Sequence, residues 1–356
     1  MKNHLKKTGI STPKNVLKVV IMNEKSKLHI YIQLLRPQTA AMLASILLIG
    51  ALIMGQRDIF SLLILFIICV LSHIFGYVLN DYADIEIDKK SKDLKDKPLV
   101  SGIIPKQNAL IIVLLSALIA YILAVIVFRS VYSIVFLTIA AIFGGIYNLY
   151  GKKIPGSELL VSAGLSFFCL FAASTVSLNF PNTIYIISIL FFIDSIFMHV
   201  VQGGIKDADH DYLEKAKNIT TLMGVKVKDG KLIIPKSYIA FSFFLKFLFL
   251  FFIILLGLQP ELNIWGSNQY ILQIFVIFLL SMVFLLTYKF LYIKTFDRSK
   301  IKRLYAGINS AALALIFIML IPVIEIEILI ILLIMPITWY MICNKILYGK
   351  ALEPQV

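Results

Sequence analysis

Residues 80–88 read Asn80-Asp81-Tyr82-Ala83-Asp84-Ile85-Glu86-Ile87-Asp88 and close a long apolar run. Carboxylates where a membrane helix meets the interface are costly to hold, so they mark function by default. At 100° per residue, Asn80, Asp84, Asp88 and Asp81 fall at about 0°, 40°, 80° and 100° of one helical face, and Glu86 points away near 240°. Crowded carboxylates raise one another's pKa unless a cation lies among them. The simplest such cation is a hard divalent ion, which points to Mg²⁺ holding a phosphorylated ligand. A second acidic set, Asp207-Ala208-Asp209-His210-Asp211, follows a later apolar run and spaces Asp207 and Asp211 four apart. Two acidic helix ends facing one another could grip a diphosphate through metal ions.

Other chemistry-bearing side chains lie around these sets. His73 and Tyr77 project at about 20° and 60° on the face that carries Asn80 and Asp84. His73 could line a cavity above the acids or bond a neighbouring helix; the Tyr77 ring could shield an allylic cation with its π face. Tyr147-Asn148-Leu149-Tyr150-Gly151-Lys152-Lys153 ends a further apolar run, where Lys152 or Lys153 could neutralise a departing diphosphate. Arg36-Pro37 precedes the first run and offers another phosphate partner or a snorkelling arginine. Asp194 lies within an apolar run, well away from the acidic mouth and nearly opposite Asp207 on a straight helix, and a structural pair with Lys246 accounts for it.

The elements that must position these residues are membrane helices. The chain has 356 residues, is 60% hydrophobic and only 15% charged, which excludes an ordinary soluble domain. Ten apolar stretches lie near 38–55, 59–79, 108–128, 130–149, 157–178, 183–204, 237–257, 270–288, 304–321 and 326–344. Most reach the roughly 20 residues that a 30 Å hydrocarbon layer demands. The expected fold is all-α, a polytopic bundle of nine to ten transmembrane helices with cytoplasmic capping loops. Segment 1–37 reads as a basic N-terminal piece with an interfacial helix at 28–36, 38–347 as the transmembrane domain and 348–356 as a tail.

A net charge of +14 could indicate nucleic acid, but its distribution argues for topology. Of the 34 Lys and Arg residues, 31 fall in the terminal segments and alternate connections and only Arg57 and Arg129 in the others. The basic side is therefore expected to be cytoplasmic, with both termini and both acidic sets on it and the protein multi-pass in the cell membrane. No nucleic-acid partner is expected. Cys69, Cys169 and Cys343 stand alone in apolar runs and read as packing residues. Connections 81–106 and 205–236 exceed what a helical hairpin needs, and each begins with an acidic set. Alternation around Asp229-Gly230 predicts a small β-hairpin. Gly203-Gly204 is expected to break or bend the sixth span ahead of Asp207.

Taken together, these motifs resemble the UbiA superfamily of intramembrane prenyltransferases. Asn80-Asp81-x-x-Asp84-x-x-x-Asp88 is similar to its first metal motif and Asp207-x-x-x-Asp211 to its second. Lys97-Pro98-Leu99-Val100-Ser101-Gly102 resembles its basic-Pro-Leu-x-Ser-Gly turn, Arg36-Pro37 its approach to the first span, and Tyr147 with Lys152 the tyrosine and lysine after the fourth. The resemblance covers roughly residues 30–225. It departs in counting ten spans against the usual nine, in Lys97 where arginine is common, and in a slightly long connection from Asp211 to Thr220.

The resemblance implies an Mg²⁺-dependent prenyltransferase. Its partners would be a polyprenyl diphosphate donor, membrane lipid and a small acceptor, either a quinone-precursor aromatic ring or an archaeal ether-lipid glycerol phosphate. Asn80, Asp84 and Asp88 would hold one ion, Asp207 and Asp211 another, and Asp81 would bind metal or orient the set. Arg36, Lys97, Lys153 and His73 would contact substrate. Tyr147, Tyr77 and Lys152 would serve catalysis. A cation-coupled transporter is the rival reading, but transporter acids sit near the midplane on broken helices, whereas these acids terminate spans. A CDP-alcohol phosphotransferase wants glycine after the second aspartate, where Ile85 stands.

Overall fold

The protein was analysed as a computed structural model, which describes residues 27–89, 94–95, 97–151, 153–213, 216–266 and 268–351. Lys152 lies outside the described residues. Helix α1 (27–35) leads through a 3₁₀ turn, Pro37–Thr39, into α2 (Ala40–Ile53). Then come α3 (Ile59–Ala83), a single turn α4 (Ile85–Asp88), α5 (Lys106–Phe128), α6 (Val131–Tyr150), α7 (Glu158–Ser174) and α8 (Asn182–Ile196). Helix α8 continues as a π-helical stretch, Phe197–Gly203, and a last α turn, Gly204–Lys206. Two short helices follow, α9 (Ala208–Leu213) and α10 (Ile219–Leu222), then strands β1 (Lys226–Lys228) and β2 (Lys231–Ile233). The chain ends in α11 (Lys236–Gly257), α12 (Tyr270–Leu291), α13 (Arg298–Met319) and α14 (Ile326–Tyr348).

Each of the ten expected apolar stretches is a helix. Nine of the helical segments among the described residues are long and apolar enough to cross a membrane. The tenth, α7, has 17 residues and rises about 26 Å, just short of a full hydrocarbon layer. By length and composition the first apolar helical segment runs over Lys27–Ile53, and the helix expected at 28–36 is present as α1, set off from α2 by the left-handed Arg36. Leu34 is buried with Val78, Leu79, Ile85, Leu99 and Ile104, so α1 packs on the end of α3 and the turn that follows.

Sequential spans pack as neighbours, α2 on α3, α3 on α5, α6 on α7, α7 on α8, α8 on α11 and α12 on α13, and α2 also packs on α7, which runs in the same direction. The α2–α7 approach needs glycine, since a Cβ on Gly50 would lie 2.5 Å from the Cys169 carbonyl oxygen. The expected hairpin is present. Asp229 (φ 52°) and Gly230 (φ 71°) both take left-handed backbone, as a two-residue type I′ connection requires. Its outer edge is covered by residues 294–296: Leu232 N–H donates to Lys294 O at 3.0 Å and Phe296 N–H to Gly230 O at 3.0 Å. The α10–α11 connection and the short α12–α13 connection are thereby joined through backbone.

Gly203 and Gly204 do not break α8; both keep helical dihedrals, near φ −60°. The irregularity lies one turn earlier, in the π stretch, a feature often found at functional sites. Gly204 is glycine for a packing reason, because its Cβ would fall within 2.7 Å of Thr220 Cβ.

Candidate active site

The first acidic set sits where α3 ends. Asp84 leaves the helix (φ −89°, ψ −1°) while its N–H still donates to Asn80 O, and α4 then carries Asp88 back underneath. Asp81, Asp84 and Asp88 are buried, Asn80 is half-buried and Glu86 points out to Lys89 and Lys106. The chain supplies two cations of its own here. Arg36 Nη2 donates to both Asp81 oxygens at 2.9 and 3.0 Å. Lys97 Nζ donates to Asp81 Oδ1 at 2.9 Å and to Asp88 Oδ2 at 2.7 Å. The crowding of like charges is thus relieved partly by Arg36 and Lys97, which the spacing of the acids alone could not show. The Lys97 turn is held by Ser101 N–H donating to Lys97 O at 2.9 Å, with Leu99 buried beneath it.

Arg36 itself adopts a left-handed conformation (φ 47°, ψ 50°) at the α1–α2 corner. His73 fixes that corner. Its imidazole is buried, with Nε2 3.0 Å from the Arg36 carbonyl oxygen, so of the two readings the neighbouring-segment bond is the one observed. Tyr77 is exposed, with its ring centroid 4.3 Å from that of His73 and the Arg36 guanidinium 5.5 Å above its face.

The second set lies at the end of α8. Asp207 has a half-open side chain, 46% exposed, with Lys206 Nζ at 3.3 Å. Asp211 accepts from Asn218 Nδ2 at 2.6 Å. Asp209, between them, is engaged by Arg298 Nη2 at 2.7 and 2.9 Å, which separates it from the pair.

The Tyr147 hydroxyl on α6 interacts electrostatically with Glu158, Asp84, Asp207 and Tyr77. One phenol at the end of the fourth span therefore lies within electrostatic reach of a carboxylate from each acidic helix end. Tyr305 on α13 interacts with Tyr77, Asp207, Tyr147 and Asp194, adding a wall that the sequence reading missed. A π stretch, Phe197–Gly203, lies between Asp194 and Asp207, so the straight-helix phase does not apply to that pair. Asp194 is paired with buried Lys246 at 3.1 Å, as expected, and the ammonium lies 3.7 Å from the Phe197 ring centroid. Lys153 is exposed, its Nζ 5.9 Å from the Tyr150 ring centroid.

Glu158, at the first turn of α7, is a second residue the sequence reading missed. It is buried, and its Oε1 accepts the N–H of Ile219 at 3.0 Å. Asn218, which caps α10 with Thr221 in a capping box, is the same residue that donates to Asp211. Glu158 therefore ties the Tyr147 end of the bundle to the loop that presents the second acidic set. A buried glutamate opening a helix after Lys152-Lys153 was the available signal.

The oxygens of Asn80, Asp84 and Asp88 at one span end and of Asp207 and Asp211 at the other are of the hard type that Mg²⁺ takes, but among the described residues no three Asp, Glu, His or Cys side chains are close enough together to hold an ion without moving. Asp81 has both oxygens engaged by chain cations and suits an orienting role. Asp88 is engaged on Oδ2 and, like any carboxylate, has further lone pairs to offer.

Comparison with known proteins agrees with this geometry. The profile of the UbiA prenyltransferase family matches residues 41–316. A 4-hydroxybenzoate octaprenyltransferase of Francisella tularensis subsp. tularensis (strain FSC 198) is 25% identical over 212 residues, covering 59% of this chain and 69% of its own. Among solved structures, digeranylgeranylglyceryl phosphate synthase superposes with a TM-score of 0.59 at 19% identity, over 84% of this chain and 99% of that one. A UbiA homolog from Archaeoglobus fulgidus bound to DMAPP and Mg²⁺ gives 0.59 at 15% identity, over 80% and 98%. A family of transferases stands against the transporter reading, and with its profile matched over residues 41–316 and nine helices among the described residues long and apolar enough to cross a membrane, the chain belongs to the UbiA prenyltransferase family and is a membrane prenyltransferase.

Proposed function

We propose that the protein transfers a polyprenyl group from its diphosphate to a small acceptor, with Mg²⁺ bound at the two acidic span ends. The observation that carries this reading is that one carboxylate from each acidic span end, Asp84 and Asp207, lies within electrostatic reach of the Tyr147 hydroxyl. Asn80, Asp84 and Asp88 would hold one ion, and Asp207 and Asp211 the other, with Asp81 orienting the first set through Arg36 and Lys97. Bound Mg²⁺ would offset the negative charge that grows on the diphosphate as the C–O bond breaks.

The chain's own groups do the rest. Lys97 and Arg36 lie at the first acidic set, and these two, with Lys152 and Lys153 that follow the fourth span in sequence, would add positive charge around the departing diphosphate. His73 holds the Arg36 corner in place. The ring faces of Tyr147 and Tyr77 would stabilise the allylic cation until the acceptor attacks, and burial among the spans would keep water from quenching it. The acceptor is a quinone-precursor aromatic ring or a glycerol phosphate of the archaeal ether-lipid type; the likeness to 4-hydroxybenzoate octaprenyltransferases supports the aromatic ring. The distribution of Lys and Arg supports a cytoplasmic mouth and cytoplasmic termini.

The test uses purified protein, radiolabelled geranylgeranyl diphosphate and a panel of aromatic and glycerol-phosphate acceptors, with Mg²⁺ present or chelated. Transfer that requires Mg²⁺ and disappears in Asp84→Asn and in Asp207→Asn is expected. Undiminished transfer in chelator, or in either variant, would refute the assignment.

A further inference from the structure

Away from the acidic mouth, the α12–α13 hairpin carries a groove that the transfer reaction does not use. It has a volume of about 550 Å³ and is lined by Tyr288, Lys289, Tyr292, Lys300, Arg303 and Leu304. The two tyrosines stack with ring centroids 4.6 Å apart, one helical turn from each other. Lys300 and Arg303 stand three apart on the facing helix, a like-charge spacing that destabilises a helix. Among the described residues, none of Lys289, Lys300 and Arg303 has a carboxylate within 4.0 Å. Asp297 is the acid nearest in sequence, and its Oδ1 accepts the Lys300 backbone N–H as the cap of α13. Arg298 is already taken by Asp209.

A second groove, of about 530 Å³, adjoins the first and shares Tyr292 with it. Six of its nine lining residues are aliphatic, among them Ile234, Ile239, Ala240 and Ile293, and Lys236 and Lys294 are the charged ones. Tyr292 thus stands between a tricationic recess at the end of one membrane span and an apolar channel along the start of another. A tyrosine at this depth is at home where one end is wet and the other apolar.

We propose that the paired grooves bind an anionic phospholipid, with its phosphate headgroup among Lys289, Lys300 and Arg303 and an acyl chain in the channel beside α11. Three cations around one recess repel one another, and a phosphate diester relieves that repulsion while accepting hydrogen bonds from the tyrosine hydroxyls. An apolar continuation of the recess distinguishes a lipid from a free phosphate. The backbone pairing of the hairpin with residues 294–296 holds the two grooves in a fixed relation, so the site is built rather than gathered on binding. This inference is independent of the metal assignment at the acidic mouth.

The full chain is purified, placed in nanodiscs of phosphatidylcholine with a minor share of phosphatidylglycerol, and released for native mass spectrometry. The wild type is expected to retain phosphatidylglycerol over phosphatidylcholine by on the order of 10- to 100-fold, about fivefold per cation with partial additivity. Lys289→Gln/Lys300→Gln/Arg303→Gln should lose that preference, and Lys226→Gln/Lys228→Gln/Lys231→Gln, an equal change of charge on the hairpin, should keep it. Arg303→Gln alone, expected to lose part of it, serves if the triple variant elutes as aggregate. Equal retention of both lipids by the wild type overturns the proposal. Equal losses in the two triple variants overturn it too, by showing general surface charge. Displacement of the retained lipid by millimolar inorganic phosphate would show a phosphate site without lipid selectivity, which also contradicts it.

Discussion

Replacing Lys97 by methionine tests how the first acidic set is held together. The ammonium bridges Asp81 and Asp88, whose side chains are 8% and 3% exposed, while Lys97 itself is 24% exposed. Asp81 keeps Arg36 in the variant, but Asp88 loses the cation bonded to it at 2.7 Å. Stranding one member of a buried pair costs about 3–5 kcal/mol, and partial exposure of Lys97 lowers the expectation to about 2–3 kcal/mol. Asp88→Asn made in the Lys97→Met background should recover a large part of that loss, because the uncompensated charge is gone. A double-mutant cycle of unfolding in mixed micelles, followed by circular dichroism, should return a coupling of at least about 1 kcal/mol. A Lys97→Met protein as stable as the wild type, or one whose deficit Asp88→Asn leaves unchanged, would refute the charge chain.

Further perturbations address other links. Gly204→Ala places a Cβ against Thr220 and should destabilise by about 1–3 kcal/mol, with Thr220→Gly in the same chain restoring most of it; thermal unfolding of the single and double variants decides. Glu158→Ala removes the acceptor of the Ile219 N–H and should raise the KM for prenyl diphosphate more than it lowers kcat, whereas Glu158→Gln, which keeps an acceptor oxygen, should stay near wild type. Equal kinetics in the two variants would remove Glu158 from the positioning of the second set. Asp194→Ala strands buried Lys246 and should cost about 3–5 kcal/mol, while Asp194→Asn/Lys246→Met should cost far less, as unfolding midpoints will show.

The spans were legible because uninterrupted apolar runs of that length have one stable home, and the breaks between them carry charge or turn residues. The short connection after α13 was the hardest to read, since only Pro322 and Glu325 fall between α13 and α14 and Glu327 already lies in the first turn of α14. The hairpin followed from Asp229-Gly230, since few dipeptides accept two left-handed residues in succession. The two acidic sets were visible as charge placed against the grain of hydropathy, and so was the Asp194–Lys246 pair.

The rest depends on contacts between residues far apart in sequence. Arg36 and Lys97 approach Asp81 from opposite sides of it in the chain, and neither helical phase nor spacing reports that meeting. The third strand-like segment at 294–296 has no β pattern of its own and pairs only because the hairpin edge is there. The π stretch between Asp194 and Asp207 has no clear composition signal, yet it alters the helical phase between them. Glu158 reads locally as a helix-start acid, and its tie to Ile219 becomes visible only in three dimensions.

The most direct measurement is a crystallographic or cryo-EM structure of the full chain with Mn²⁺ in place of Mg²⁺ and a non-cleavable prenyl thiolodiphosphate. Two metal peaks are expected beside Tyr147, one on Asn80 and Asp84 and one on Asp207 and Asp211, with the diphosphate between them. Metal bound elsewhere, or Asp84 and Asp207 facing separate compartments, would contradict the account.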